Sequence, residues 1–483
     1  MRRLWNILPL SALLLSGCTV GPKYMKPPVA IPPAYTESTP TAYKESAEWR
    51  ASAPSDQKLK GSWWEIFGDS QLNELETSVA QSNFDLKVAE AHLRQARAAI
   101  RFNKASQYPS LSLSPSIINE RLSANQPYFN PAFANNGTGA FTFPLELSYE
   151  VDLWGRIRRS VSAAKEGAQA TAADLETAKL SLQAEMARDY FGLRAADRQE
   201  QLLSDTVKAY ERAYDLTLRR HQGGAAPLSD VEQAKTQLDA ARVQQTDVLQ
   251  TRARYEHAIA VLMGRPPEEF KLADLPGFEL KPPVVPVSVP GALLERRPDI
   301  SSAERLVAQA NDQIGIARAA YFPSVVLGAT GGFEGTSASN WFNWPSRLWA
   351  VGPQFSQTIF DGGRRKANTE AAKANYDATV ATYRQTTITA FQEVEDNLAA
   401  LSTLEKESAQ QRNATASSES ALRLFNRRYQ GGVDTYLQVV SAQTTALLNE
   451  RNEIEISRER IDATILLIKA LGGGWDVSQL PKY

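Results

Sequence analysis

From Phe141 to Leu153 the chain alternates without a break. Phe141, Phe143, Leu145, Leu147, Tyr149, Val151 and Leu153 share one face, and Thr142, Pro144, Glu146, Ser148, Glu150 and Asp152 share the other. Alternation of this length predicts a β-strand with one apolar and one polar face, as in a membrane barrel strand or a half-buried strand of a sandwich. The stretches YPSLSLSPSI, FPSVVLGATGGF and RLWAVGPQFSQTIF bring the expected strands to four, at about 108–123, 138–154, 322–334 and 347–360. Four strands cannot close in lipid, where the smallest barrels use about 8 and each orphaned backbone group costs several kcal/mol. If this sheet spans a membrane, several copies must pool their strands.

Between the strand pairs the period changes. No proline occurs from about Arg158 to His221 or from about Arg364 to Tyr429, and Gly167 and Gly192 are the only glycines in these spans. Each span, if helical throughout, reaches roughly 95–100 Å at about 1.5 Å per residue. In the second, Tyr376, Val380, Tyr383, Thr387, Phe391, Val394, Leu398 and Leu401 recur at three- and four-residue steps, a narrow stripe suited to coiled-coil-like packing against a neighbouring helix. A broader apolar face would be expected of an ordinary four-helix bundle.

Each long span ends in the same words, RRHQGG at Arg219 and RRYQGG at Arg427, which lie 208 positions apart. The likeness extends much farther. Asp85, Ala89, Glu90, Gln95, Ala96, Ile100, Ala105, Pro109 and Ser110 each have an identical partner 214 residues on. At an offset of 208, Gly155-Arg156 matches Gly363-Arg364, Ala170-Thr171 matches Ala378-Thr379, and Gly264 matches Gly472. The chain therefore reads as an internally duplicated unit of mixed α and β structure, ordered as helix, strand pair, long helix, Gly-Gly turn and second long helix. The first unit covers 61–264 and the second 297–474, with a Pro-rich linker at 265–296 and a tail at 475–483. Pro227, Ser229 and Asp230 suit the first turn of the helix after the first Gly-Gly pair.

Composition narrows the function. A net charge of −1 implies no polyanionic partner, and no basic cluster with interleaved aromatics suggests nucleic acid. His92, His221 and His257 have no ligand spacing, and no phosphate loop, nucleophile elbow or dinucleotide fingerprint occurs, so neither a metal, a cofactor nor an enzymatic activity is expected. Residues 1–17 have a basic start, an apolar run and small residues before Cys18, which reads as a secretory signal peptide. Cys18 is the single cysteine. Residues 18–60 are rich in proline and small polar residues and read as an extended tether.

These features together resemble a known family. LSGC at Cys18 resembles a bacterial lipobox, and WWEIFGD, the strand patterns, ERRPDI at Glu295–Ile300, ARAAYFPS and the closing ALGGGW resemble a TolC-like outer-membrane factor of the lipoprotein branch that serves resistance-nodulation-division efflux pumps. The resemblance implies cleavage before Cys18, with diacylglycerol and an N-acyl chain on that residue, and a Gram-negative outer-membrane address extending into the periplasm. It implies a homotrimer whose protomers each give four strands to a 12-stranded barrel, with the helices forming a hollow periplasmic cylinder. The implied function is a passive duct exporting small molecules, with a periplasmic membrane-fusion adaptor and an inner-membrane transporter as partners. A duct for type I protein secretion and a non-conducting structural envelope lipoprotein are the alternatives.

The family also implies roles for particular residues. The adaptor docks on the tip motif, which falls here on Gly223, Gly224 and Ala225 and on Gly431, Gly432 and Val433. The aperture lies just inside, with Leu437 at the family's apolar position. Its acidic positions correspond to Gln438 and Ser441, which carry no charge, so the family's acid-ringed entrance is not implied for this chain; Asp434, one turn away, is the substitute candidate. Asp230 and Tyr429 match residues that tie neighbouring hairpins in the closed state. Asp434 stands where some relatives have the basic partner, leaving Arg427 or Arg428 to supply it.

Overall fold

The absence of proline from the two long spans has a direct result: each is one uninterrupted helix. In a computed structural model describing residues 19–37, 61–121, 123, 125, 127, 138–275, 277–283, 285 and 293–483, helix α3 (Arg156–Gln222) and helix α6 (Arg364–Gln430) are both 67 residues long. Their partners α4 (Leu228–Leu262) and α7 (Tyr436–Ala470) are both 35 residues long. Each pair folds into an antiparallel hairpin, and α3 also packs along α7. Shorter helices α1 (Ser70–Ser82) and α2 (Phe84–Ala105) precede α3, and α5 (Pro298–Ala319) lies between α3 and α6. The expected signal peptide and Cys18 lie outside the described residues.

Glycine inside α3 marks close approach. A β-carbon on Gly192 would stand 2.6 Å from ring atoms of Tyr255 on α4, and one on Gly167 would meet the Gln309 side chain. At Gly192 the Tyr255 ring leaves no room for a β-carbon, whereas at Gly167 the neighbour is the movable end of Gln309; a single glycine costs a helix only about 1 kcal/mol, so α3 runs through both. The apolar stripe of α6 is divided between two partners. Tyr383 and Ala390 pack with Ile300, Ala303 and Val307 of α5. Val394, Leu398 and Leu401 join the main core with Trp63, Leu72, Val79, Tyr190, Phe191, Ile259, Ile465 and Ile468.

The sheet is antiparallel. Strands β1 (Ser110–Leu113) and β2 (Ser116–Glu120) lie end to end against β3 (Thr138–Glu150), which pairs with β4 (Ser324–Gly335), which pairs with β5 (Arg347–Ser356). Pro115 separates β1 from β2, so the first expected strand is present in two pieces. Register carries the alternation across the sheet. Leu113, Leu145, Gly331 and Trp349 form one row, and Ser112, Glu146, Thr330 and Ala350 form the next, on the opposite face.

Strand β3 ends at Glu150, with one further bond from Val151 N–H to the Val325 carbonyl at 2.9 Å, before the expected end at 154, because the elbow into α3 claims the residues beyond. Leu153 N–H folds back to the Val151 carbonyl, and the Asp152 carboxylate accepts from Ile157 N at 3.1 Å and Arg158 N at 2.8 Å. Likewise β5 ends at Ser356, short of 360, and Asp361 accepts from Gly363 N and Arg365 N at 3.1 Å each to start α6. The described part of the tether runs from this elbow along the helices. Val20 N–H donates to the Trp154 carbonyl, Arg159 donates to the carbonyls of Val20 and Pro22, and Thr36 N–H donates to Glu395. No described helix is long and apolar enough to cross a membrane.

Candidate functional site at the sheet and the hairpin ends

Among the described residues, two parts of the molecule lack partners of their own. One is the sheet, whose outer strands β1/β2 and β5 each pair on one side only. Its apolar face stands open as well: Leu111, Leu113, Ile117, Leu145, Leu147, Trp349, Val351 and Phe355 are all exposed, Trp349 at 77%. Aromatic clusters flank this band at both ends. Phe141, Phe143, Phe333, Trp341 and Phe342 meet edge-on or stacked at one, and Trp154 stacks on Phe322 at 4.7 Å at the other. An apolar band between aromatic belts is the surface a bilayer solvates well.

The other is the far end of the hairpins. At each Gly-Gly turn only the second glycine takes positive φ: Gly224 at 73° and Gly432 at 72°, while Gly223 and Gly431 remain at −82° and −76°. The hydrogen bonds explain the division. Gly223 N–H bonds Arg219 O, Gly224 N–H bonds His221 O, and Ala225 N–H reaches back to Arg220 O. Gly431, Gly432 and Val433 repeat the pattern on Arg427, Tyr429 and Arg428. This double closure of the last carbonyls requires a left-handed residue at one position alone. Pro227 and Thr435 stand just before the following helices, and neither α4 nor α7 has a side-chain cap. Gly223, Gly224, Ala225, Gly431, Gly432 and Val433 are all exposed, Val433 at 68%, and form two bare knobs.

Just inside the knobs the two hairpins are tied together. Tyr429, Tyr436, Val439 and Ala234 form a small core flanked by Tyr214, Phe425 and Val440. The Tyr429 and Tyr436 rings meet at 5.1 Å. Arg220 of the first hairpin donates through Nη1 to the carbonyls of Tyr429 at 2.9 Å and Gln430 at 3.2 Å, and its guanidinium lies 4.8 Å from the centre of the Tyr429 ring. Asp230 is close enough to Tyr429 and Arg220 to interact with both. Burial raises its pKa, and the Arg220 charge opposes that rise. Burial also raises the Tyr429 phenol.

Arg428 is held elsewhere. Its Nε and Nη2 donate to Asp434 at 2.6 and 3.1 Å within the second hairpin, and this pairing keeps the Asp434 carboxylate below its usual range. Asp434 is thus ionised but neutralised by its own partner. Arg427 is exposed. At the turns, Arg220 is a cation that bridges the hairpins, and the sequence alone did not single it out. Leu437, 56% exposed, Gln438 and Ser441 lie on one open face of α7, opposite the buried Tyr436, Val439 and Gln443. Among the described residues no group of histidines, cysteines and carboxylates could hold a metal ion.

An unclosed amphipathic sheet with an exposed apolar face, carried on helices of about 100 Å, defines a class: a membrane-associated chain of mixed α and β structure. The chain belongs to the Outer membrane efflux protein family, whose pattern it matches at residues 76–265 and 289–473. It is 32% identical over 471 residues to the probable efflux pump outer membrane protein TtgC of Pseudomonas putida, covering 97% of this chain and 95% of that one. It is 33% identical to the outer membrane protein OprJ of Pseudomonas aeruginosa over 97% of this chain and 95% of the relative. Among solved structures, the outer-membrane channel OprN superposes with a TM-score of 0.85 at 29% identity, covering 95% of this chain and 100% of that one.

Proposed function

We propose that this chain is one of three identical subunits of an outer-membrane duct in a tripartite efflux pump, exporting small molecules through a common pore. The observation that carries this reading is the pair of unpaired strands, β1/β2 and β5, bounding a sheet whose apolar face is exposed. Three copies give twelve strands and pair every edge, the condition lipid imposes. The polar row of Ser112, Glu146 and Thr330 then faces the lumen. The two equal sets of helices, 67 and 35 residues each, support a duplicated subunit that contributes two similar hairpins to the mouth.

Relatives are described as toluene, solvent and antibiotic efflux proteins, which favours small organic molecules over a secreted polypeptide. A periplasmic adaptor docks on the bare knobs at Gly223–Ala225 and Gly431–Val433 and an inner-membrane pump of the resistance-nodulation-division class supplies the energy. Acyl chains on Cys18 add a second anchor.

The test is the purified protein in planar bilayers and on sizing in detergent. A trimer giving discrete conductance steps is expected. A monomer without conductance, even when the hairpin ties are removed, overturns the reading.

A further inference from the structure

Arg220 and Arg428 occupy the same place in two turns of nearly identical geometry. They are 208 residues apart, each precedes an aromatic ring and Gln-Gly-Gly, and the carbonyl of each receives a returning N–H, from Ala225 at 2.7 Å and from Val433 at 2.9 Å. Yet they do different things. Arg428 folds back on Asp434 six residues on, whereas Arg220 crosses to the other hairpin and binds the carbonyls of Tyr429 and Gln430. The difference lies six residues beyond Arg220, where Asp434 is replaced by Ala226. The methyl group of Ala226 offers no acceptor, and its carbonyl is already engaged by His221 Nδ1 at 2.9 Å.

We infer that Ala226 sets the resting state of the mouth: by withholding a carboxylate from the first turn it leaves Arg220 to clasp the second hairpin. This deepens the duct reading and rests on it for its functional consequence. The physical logic is competition. A guanidinium beside an in-turn carboxylate forms a charge-assisted pair, stronger than its bonds to neutral carbonyls. Because the backbone of the first turn matches that of the second, an aspartate at 226 stands where Asp434 stands relative to its arginine. The clasp gives the Gln430 carbonyl at the end of α6 a donor, adds a second one to the Tyr429 carbonyl already bonded by Gly432 N–H, and places a cation on the face of Tyr429. Thus Arg220 is a positioning residue, and Ala226 selects its partner.

The test is Ala226→Asp in the full-length trimer, alone and combined with Arg220→Ala. Hydrogen exchange of the 427–434 segment reads the clasp directly, and single-channel conductance reads the mouth. Ala226→Asp is expected to speed exchange there about tenfold and raise open probability, as Arg220→Ala does, and to add nothing in the Arg220→Ala background. Unchanged exchange in Ala226→Asp, or a full additive effect in the double variant, overturns the proposal. Faster exchange with no conductance in any variant, wild type included, keeps the clasp and rejects the duct.

Discussion

The Asn83 side chain donates to the carbonyl of Leu262 at 2.9 Å, and 214 residues later Arg297 donates to the carbonyl of Ala470 at 3.1 Å. Both carbonyls belong to the last turn of a long helix, where backbone acceptors lack intrahelical donors. One joint is therefore built twice with different chemistry. Asn83 also caps α2 by accepting from Leu86 N at 3.0 Å. Arg297 instead binds Asp299 and Glu393, each at 2.6 Å. Asn83→Ala is expected to cost about 1–2 kcal/mol through the lost cap and the orphaned carbonyl. Arg297→Ala should cost more, about 2–4 kcal/mol, below the full figure for a buried pair because Glu393 is half exposed. Denaturation of the detergent-purified protein checks the order of the two; a larger loss for Asn83→Ala would contradict it.

Four glycines end the four long helices in the same left-handed conformation, but their surroundings differ. Gly224 and Gly432 have nothing within 4 Å of an added β-carbon. One on Gly264 would stand 2.7 Å from Ser82 O, and one on Gly472 would stand 2.1 Å from Arg296 O. Alanine at either tip is expected to cost only the left-handed strain, about 1–2 kcal/mol. At Gly264 or Gly472 the backbone must also shift, adding about 1–3 kcal/mol. Thermal unfolding of the four alanine variants should separate them into two pairs, and equal losses would show that the tips are more crowded than the structure has them.

The sequence made the strands, the long helices and their reversals legible because each depends on local rules: period two, absence of proline, glycine after the last turn. It also located the two elbows to within a few residues. The clasp at the hairpin ends was not legible. Which of two equivalent arginines crosses to the neighbouring hairpin depends on a contact 209 positions away, and Arg220 looks like Arg428 until the empty position at Ala226 is compared with Asp434. Comparing the two copies residue by residue would have exposed that difference. The tether's path was likewise hidden, because most of its bonds are made by its backbone: Arg159 takes the carbonyls of Val20 and Pro22 and Trp154 and Glu395 take the N–H groups of Val20 and Thr36, whatever the side chains there.

Asp189 lies partly buried on α3, near Glu185, Arg188 and Asp462. Burial first, and then the two neighbouring carboxylates, push its pKa up to about 7, with Arg188 opposing. In the unfolded chain it returns to about 3.9. Between these values the folded protein holds a proton that the unfolded chain releases, so stability falls as pH rises from about 4 to 7 and then levels. Asp189→Asn removes this penalty. It is expected to raise the melting temperature by several degrees at pH 8 and to leave it unchanged near pH 4, in melts of both proteins across that range. A gain of the same size at both pH values would assign the effect to packing.

Leu145 and Glu146 are neighbours on β3 that face opposite sides of the sheet, in rows with Leu113 and Gly331 and with Ser112 and Thr330 respectively. If the apolar row meets lipid, arginine at 145 places a charge near the middle of the hydrocarbon, costing about 2–4 kcal/mol per subunit. Three subunits multiply that cost in one assembly, so Leu145→Arg should sharply reduce trimer in the outer membrane. Glu146→Arg adds charge on the other face, where water fills the pore, and should assemble normally. Its three new cations and three lost carboxylates change the lumen charge by six, enough to shift the reversal potential toward anions in a salt gradient. The two variants therefore fail in different assays for one reason, the alternation across the sheet. Normal assembly of Leu145→Arg together with loss of Glu146→Arg would invert the sheet and place the apolar row inside.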